Sequence, residues 1–126
     1  MNFTGMLKDE TLADKTILIT GGGTGLGKSM GKYFMELGAN LIITSRKQEV
    51  LDKTAQEFNE YSGSVLPLAG DVRKAKDVQD ILDIGQNKFG IIDGLVNNAA
   101  GNFISPTERL STKAFDVIVD IVLKGT

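Results

Sequence analysis

Apolar residues in this chain fall into short unbroken runs separated by longer stretches of helical period. Ile17–Thr20, Ala39–Thr44, Ser64–Ala69 and Ile91–Asn97 are runs of strand length, rich in β-branched and aliphatic residues. Between them lie Gly25–Leu37, Gln48–Tyr61 and Lys74–Phe89, and a further helical pattern begins at Ser111. The first helix has Leu26, Met30, Phe34 and Leu37 on its expected apolar face and is stopped by Gly38. Val50, Leu51, Ala55 and Phe58 mark the inward face of the second helix, and Val78, Ile81 and Leu82 that of the third. Residues 1–14 read as a polar lead-in, and 15–126 as one domain.

Strands that are apolar throughout, alternating with helices, predict a parallel sheet covered on both faces. Right-handed crossovers make this α/β pattern the first half of a doubly wound sheet of the Rossmann type, with strand order 3-2-1-4. The connection after the first strand adds chemistry. Five of the seven residues from Gly21 to Gly27 are glycine, interrupted by Thr24 and Leu26. Glycines permit a tight turn and close approach to a pyrophosphate, and the following helix presents unpaired N–H groups to the anion. Gly21, Gly22, Gly23, Thr24, Gly25, Leu26 and Gly27 are therefore expected to hold a dinucleotide.

The end of the second strand bears on which dinucleotide. A carboxylate about twenty residues past the turn takes the ribose hydroxyls of NAD. Here the chain reads Thr44-Ser45-Arg46-Lys47, with no acid until Glu49. A guanidinium with a neighbouring hydroxyl suits a 2′-phosphate, so NADP(H) is expected, with Arg46 as the main contact and Ser45 and Lys47 assisting. The competing reading is a solvated helix start, which the helix dipole disfavours for cations.

Composition narrows the classes. The chain has 126 residues, 41% apolar, with 14 basic and 16 acidic residues and a net charge of −2. That balance points to neither nucleic acid nor membrane surfaces as partners. There is no cysteine and no histidine, so thiolate chemistry, disulfides and His-based triads are excluded, and no metal site is expected. No apolar run has the length of a membrane span and the start has no signal-peptide pattern, so a cytoplasmic location is expected.

The turn spacing Thr20-Gly21-x-x-x-Gly25-x-Gly27, with Asn97-Asn98-Ala99-Ala100-Gly101 after the fourth strand, resembles the short-chain dehydrogenase/reductase family over about residues 12–126. The resemblance implies that Asp71 and Val72 hold the adenine, although an Asp before a helix also serves as an N-cap. It implies as well that Asn98, Ala99, Ala100 and Gly101 approach the cofactor ribose. The run Gly101-Asn102-Phe103-Ile104-Ser105-Pro106-Thr107-Glu108-Arg109-Leu110-Ser111 is similar to the 2,4-dienoyl-CoA reductases. By that likeness Asn102 serves catalysis at the thioester dienolate, while Phe103, Ser111 and Arg73 meet the acyl-CoA. Without it, Phe103 and Ile104 read as loop anchors and Ser111 as a helix N-cap. Val122 stands where classical members carry an Asn, and this departure is shared with the dienoyl reductases.

The family's Tyr-Lys pair is not found. The tyrosines are Tyr33 and Tyr61, and four residues on stand Leu37 and Val65. The resemblance implies that the pair lies beyond Thr126, that this chain alone is inactive and exposes an apolar fourth strand prone to self-association, and that the longer protein is a homotetramer.

Overall fold

The computed structural model describes residues 5–101 and 105–126. Four parallel strands, β1 (Thr16–Thr20), β2 (Asn40–Ser45), β3 (Val65–Ala69) and β4 (Gly94–Val96), form one sheet in the order β3-β2-β1-β4. This is the expected order. Helices α1 (Gly25–Glu36), α2 (Gln48–Phe58), α3 (Ala75–Phe89) and α4 (Thr112–Val119) connect or follow the strands. A π-helical segment, Asp120–Lys124, continues α4, and Thr107–Arg109 forms a 3-10 turn before it.

The central strands bury both faces, which is why they are apolar at consecutive positions. Ile17, Ile19, Leu41 and Ile43 face α1 and α2, packing with Met35, Leu51 and Phe58. Leu18 and Ile42 face the other way, onto Ile81 of α3, with Leu66, Leu82 and Ile92 around them. Pro67 lies in β3, an edge strand where its missing N–H removes no ladder bond. Gln48 at the head of α2 ties that edge down, since its amide donates to the Pro67 carbonyl at 3.2 Å and its Oε1 accepts from Ala69 N–H at 2.9 Å.

Helix α1 ends as expected at Gly38, whose φ of +89° closes a Schellman turn: Gly38 N–H reaches Met35 and Ala39 N–H reaches Phe34. Its buried face matches the expectation at Leu37, with Phe34 packed on the core, and differs elsewhere. Gly27, Gly31 and Met35 form the inward stripe, and Leu26 is 77% exposed. Leu26 sits in the first turn, beyond the C-terminal edge of the sheet, where no element among the described residues covers it. The glycines seat the helix close to β1 and β2, and a Cβ at Gly31 would lie 3.1 Å from the Leu41 side chain.

Strand β4 is shorter than the predicted Ile91–Asn97. Before it, the Asp93 carboxylate accepts the Thr16 N–H at 2.9 Å, and Asp93 N–H reaches the Thr16 carbonyl at 2.8 Å. After it, Asn98 N–H turns back to Val96 at 3.0 Å. Leu95 on this edge strand is 58% exposed. The lead-in is tied to the body, with Leu12 packed on the core and its N–H bonded to the Leu37 carbonyl at 2.9 Å.

Candidate active site

Strand β1 is the switch point of the sheet: the chain first builds outward through β2 and β3, then returns to place β4 on the other side of β1. Loops leaving the carboxyl ends of strands diverge at such a point and leave a crevice. Here it is a cleft of about 390 Å³, lined by Gly21 and Thr24 after β1, Thr44, Ser45 and Arg46 at the end of β2, and Gly70, Asp71 and Val72 after β3. Asn98, Ala99 and Ala100 after β4, with Ile121, complete it. Residues from five separate chain segments, nine of them expected at the site from sequence, thus meet on one surface.

A hydroxyl and an amide hold β4 against the turn. Thr20 Oγ1 accepts from the Asn98 N–H at 3.1 Å and the Ala99 N–H at 3.0 Å, and donates to the Val96 carbonyl at 3.4 Å. Asn98 Nδ2 donates to the Thr20 and Gly21 carbonyls at 3.1 and 3.2 Å. Asn98 and Thr20 thus bridge the ends of the adjacent strands β4 and β1. Gly21 has φ of +66°, and a Cβ there would approach Asn98 Nδ2 to 2.9 Å.

The other glycines have different surroundings. A Cβ at Gly27 would overlap the Gly21 carbonyl and lie 2.6 Å from Asn98 Nδ2. Gly22 is buried against Ile43, and Gly23 against Val50 and Leu51, so both turn toward the core and outside the cleft lining. Leu26, Lys47 and Gly101 also lie outside the lining. Gly101 packs against Ile121, whose Cδ1 is 3.0 Å from where a Cβ would stand. Ser111 is the N-cap of α4, its Oγ accepting from Ala114 N–H at 3.2 Å. Asn102, Phe103 and Ile104 lie outside the described residues.

Asp71 is not the N-cap of α3, a position taken by Lys74. Its carboxylate instead accepts from the Arg73 N–H at 3.0 Å and from the Arg73 guanidinium at 2.5 to 3.1 Å. Hydrogen bonding to Arg73, with the nearby charge of Arg46, holds this carboxyl well below its usual range, at about 2. A depressed folded-state value means stability that is fully present above the unfolded value and lost as pH falls from about 4 toward 2. An Arg73→Ala variant is expected to lose most of that acid-limb dependence, followed as the urea midpoint between pH 5 and 2.

Two features leave polar groups at the cleft without side-chain partners among the described residues. Thr24 is the N-cap residue of α1, yet its side chain makes no capping bond, so the first-turn N–H groups have no side-chain acceptor. Thr44, 2% exposed, carries a buried hydroxyl with no partner among the described residues, and it stands on the cleft wall. Thr44, Gly70 and Ile121 were not foreseen as site residues. Thr44 could have been found as the inward position next to Ser45, whereas nothing in the pattern places Ile121 across from Gly101. Among the described residues no His, Cys, Asp and Glu cluster could hold a metal, and no helix is long and apolar enough to cross a membrane.

The known proteins this chain resembles agree with that geometry. Residues 15–126 match the family model for short chain dehydrogenase. A relative from Caenorhabditis elegans named probable 2,4-dienoyl-CoA reductase 3 is 47% identical over 123 residues, 96% of this chain and 40% of that protein. A solved short chain dehydrogenase from Bacillus anthracis superposes with a TM-score of 0.85 at 42% identity, over 89% of this chain and 46% of the other. A 3-ketoacyl-(acyl-carrier-protein) reductase from Brucella melitensis, solved with NADH, gives 0.84 at 33% identity, over 91% and 46%. The chain thus spans less than half the length of the proteins it matches. It belongs to the short chain dehydrogenase family.

Proposed function

We propose that this chain is the cofactor-binding part, residues 15–126, of an NADPH-dependent 2,4-dienoyl-CoA reductase. The observation that carries the cofactor choice is Ser45-Arg46 on the cleft wall at the end of β2, followed in sequence by Lys47 and with no acid before Glu49. Arg46 and Ser45 take the 2′-phosphate with Lys47 nearby, Asp71 and Val72 take the adenine, and the turn from Gly21 to Gly27 takes the pyrophosphate. The segment Asn98–Gly101 lies along the ribose. When bound, NADPH supplies the hydride that reduces the conjugated thioester.

The acyl-CoA substrate is supported by the relatives' names and by the run Asn102–Ser111. In this reading Asn102 acts on the thioester oxygen, where donors stabilise the developing charge, and Phe103, Arg73 and Ser111 contact the acyl-CoA. Arg73 must then serve Asp71 and a CoA phosphate together. Exposed Phe115 and Leu123 on α4 and its extension support a self-associating protein, and the expected cytoplasmic location belongs to the same reading.

Titration of the chain with each nucleotide, followed by nicotinamide fluorescence, tests the cofactor: NADPH should bind at least about tenfold more tightly than NADH. Equal affinities would remove the 2′-phosphate reading. A 3-ketoacyl thioester is the second substrate reading, favoured by the likeness to the Brucella reductase. Turnover of hexadienoyl-CoA, a 3-ketoacyl-CoA and simple ketones, measured in a protein of the relatives' length, separates the two. Binding without turnover in that panel would point to a nucleotide-binding module instead.

A further inference from the structure

Thr54 lies on α2, outside the cleft, and is 2% exposed. Its hydroxyl donates to the Gly23 carbonyl at 2.8 Å, joining residues 31 positions apart. The Gly23–Thr24 peptide is trans and planar, so its C=O and N–H point in opposite directions. A carbonyl drawn under α2 therefore turns the Thr24 N–H away from α2, toward the side where Thr24 lines the cleft. Val50 and Leu51 close in on Gly23 from the same helix, where a Cβ would stand 3.1 and 3.3 Å from them. The Cα of Gly23 is thus closely packed against α2.

We propose that Thr54 is a positioning residue for dinucleotide binding: it orients the Gly23–Thr24 peptide so that the Thr24 N–H is presented to the pyrophosphate. The role rests on the dinucleotide reading given above. Thr54 touches no ligand itself. It fixes in advance a donor that a free glycine turn would have to order on binding, and ordering glycines is entropically unfavourable. The helix next to the nucleotide's 2′ end thereby also shapes its phosphate site.

The test compares Thr54→Val, which keeps the shape and removes the hydroxyl, with Thr54→Ser, which keeps the hydroxyl. Both are made in the full 126-residue chain. NADPH is titrated beside adenosine 2′-monophosphate, a probe that lacks the pyrophosphate. Thr54→Val should weaken NADPH by about tenfold while adenosine 2′-monophosphate binds as before, and Thr54→Ser should restore NADPH to within about twofold of wild type. Equal NADPH affinity in Thr54→Val, or parallel loss of both probes, would overturn the role. A second measurement needs no variant: in the wild-type chain the Thr24 amide resonance should move on adding inorganic pyrophosphate, and a stationary Thr24 signal sinks the proposal even if Thr54→Val does not fold. Failure of the wild-type chain to bind either NADPH or NADH overturns the dinucleotide reading along with it, an outcome distinct from a variant that binds normally.

Discussion

Replacing Gly27 with alanine is expected to destabilise the chain by about 3 kcal/mol and to abolish nucleotide binding. Two effects of opposite sign compete. Alanine is the better helix former, by about 1 kcal/mol in a helix interior, so an account built on helix propensity alone expects a gain. The added methyl, however, would overlap the Gly21 carbonyl and stand 2.6 Å from Asn98 Nδ2. Neither neighbour is the free end of a flexible chain. The first is backbone at φ +66°, and the second is held by two carbonyls. Relief requires α1 to lift from the sheet or Asn98 to leave its bonds, and either change opens the cleft. Urea unfolding and an NADPH titration read the two consequences separately. A rise in stability would mean that α1 is not seated on the turn as described.

Removal of the Arg46 side chain is expected to act on one nucleotide only. In an Arg46→Ala chain, NADPH should bind about thirtyfold more weakly while NADH changes by less than about twofold, since bidentate charge-assisted bonds to a phosphate are lost with their partner. If Arg46 is a solvated residue at the start of α2, both affinities stay put. Position argues for the first outcome. Arg46 precedes the N-cap of α2, where a cation gains nothing from the helix dipole, yet it borders the cleft and lies near enough to Asp71 to help keep it ionised.

The architecture was almost wholly legible from the sequence because period and burial report the same thing in a parallel sheet covered on both faces. Ile17, Leu18 and Ile19 are apolar in succession because neighbours cover both sides. The misreadings are as informative. Leu26 has the right spacing for a core position, but its turn of helix overhangs the sheet, and periodicity carries no information about where the partner layer ends. Gly27 and Gly31 were missed as the seat of α1, since a hydrophobic pattern scores side chains and these residues act by having none. At the site, the ends of β1, β2 and β3 were readable because motif spacing follows the strands. Thr54 was not, because a polar residue inside an amphipathic helix looks the same whether it faces water or a buried carbonyl. Ser111 was readable in both its senses, and the cap is the one the described residues contain.

The Thr20–Asn98 link has a consequence for how the chain acquires its site. These two residues are 78 positions apart, so the bond between them closes nearly the longest loop in the sheet. Contacts of that span form late, after the local strand–helix units. Strands β1 to β3 can pair through neighbouring crossovers, but the fourth wall of the cleft arrives only when β4 docks. On the proposed function, a nucleotide recognises the finished sheet and little before it. Its binding then adds to the stability of the folded chain by mass action, so cofactor supply would shift the balance between folded and unfolded chain.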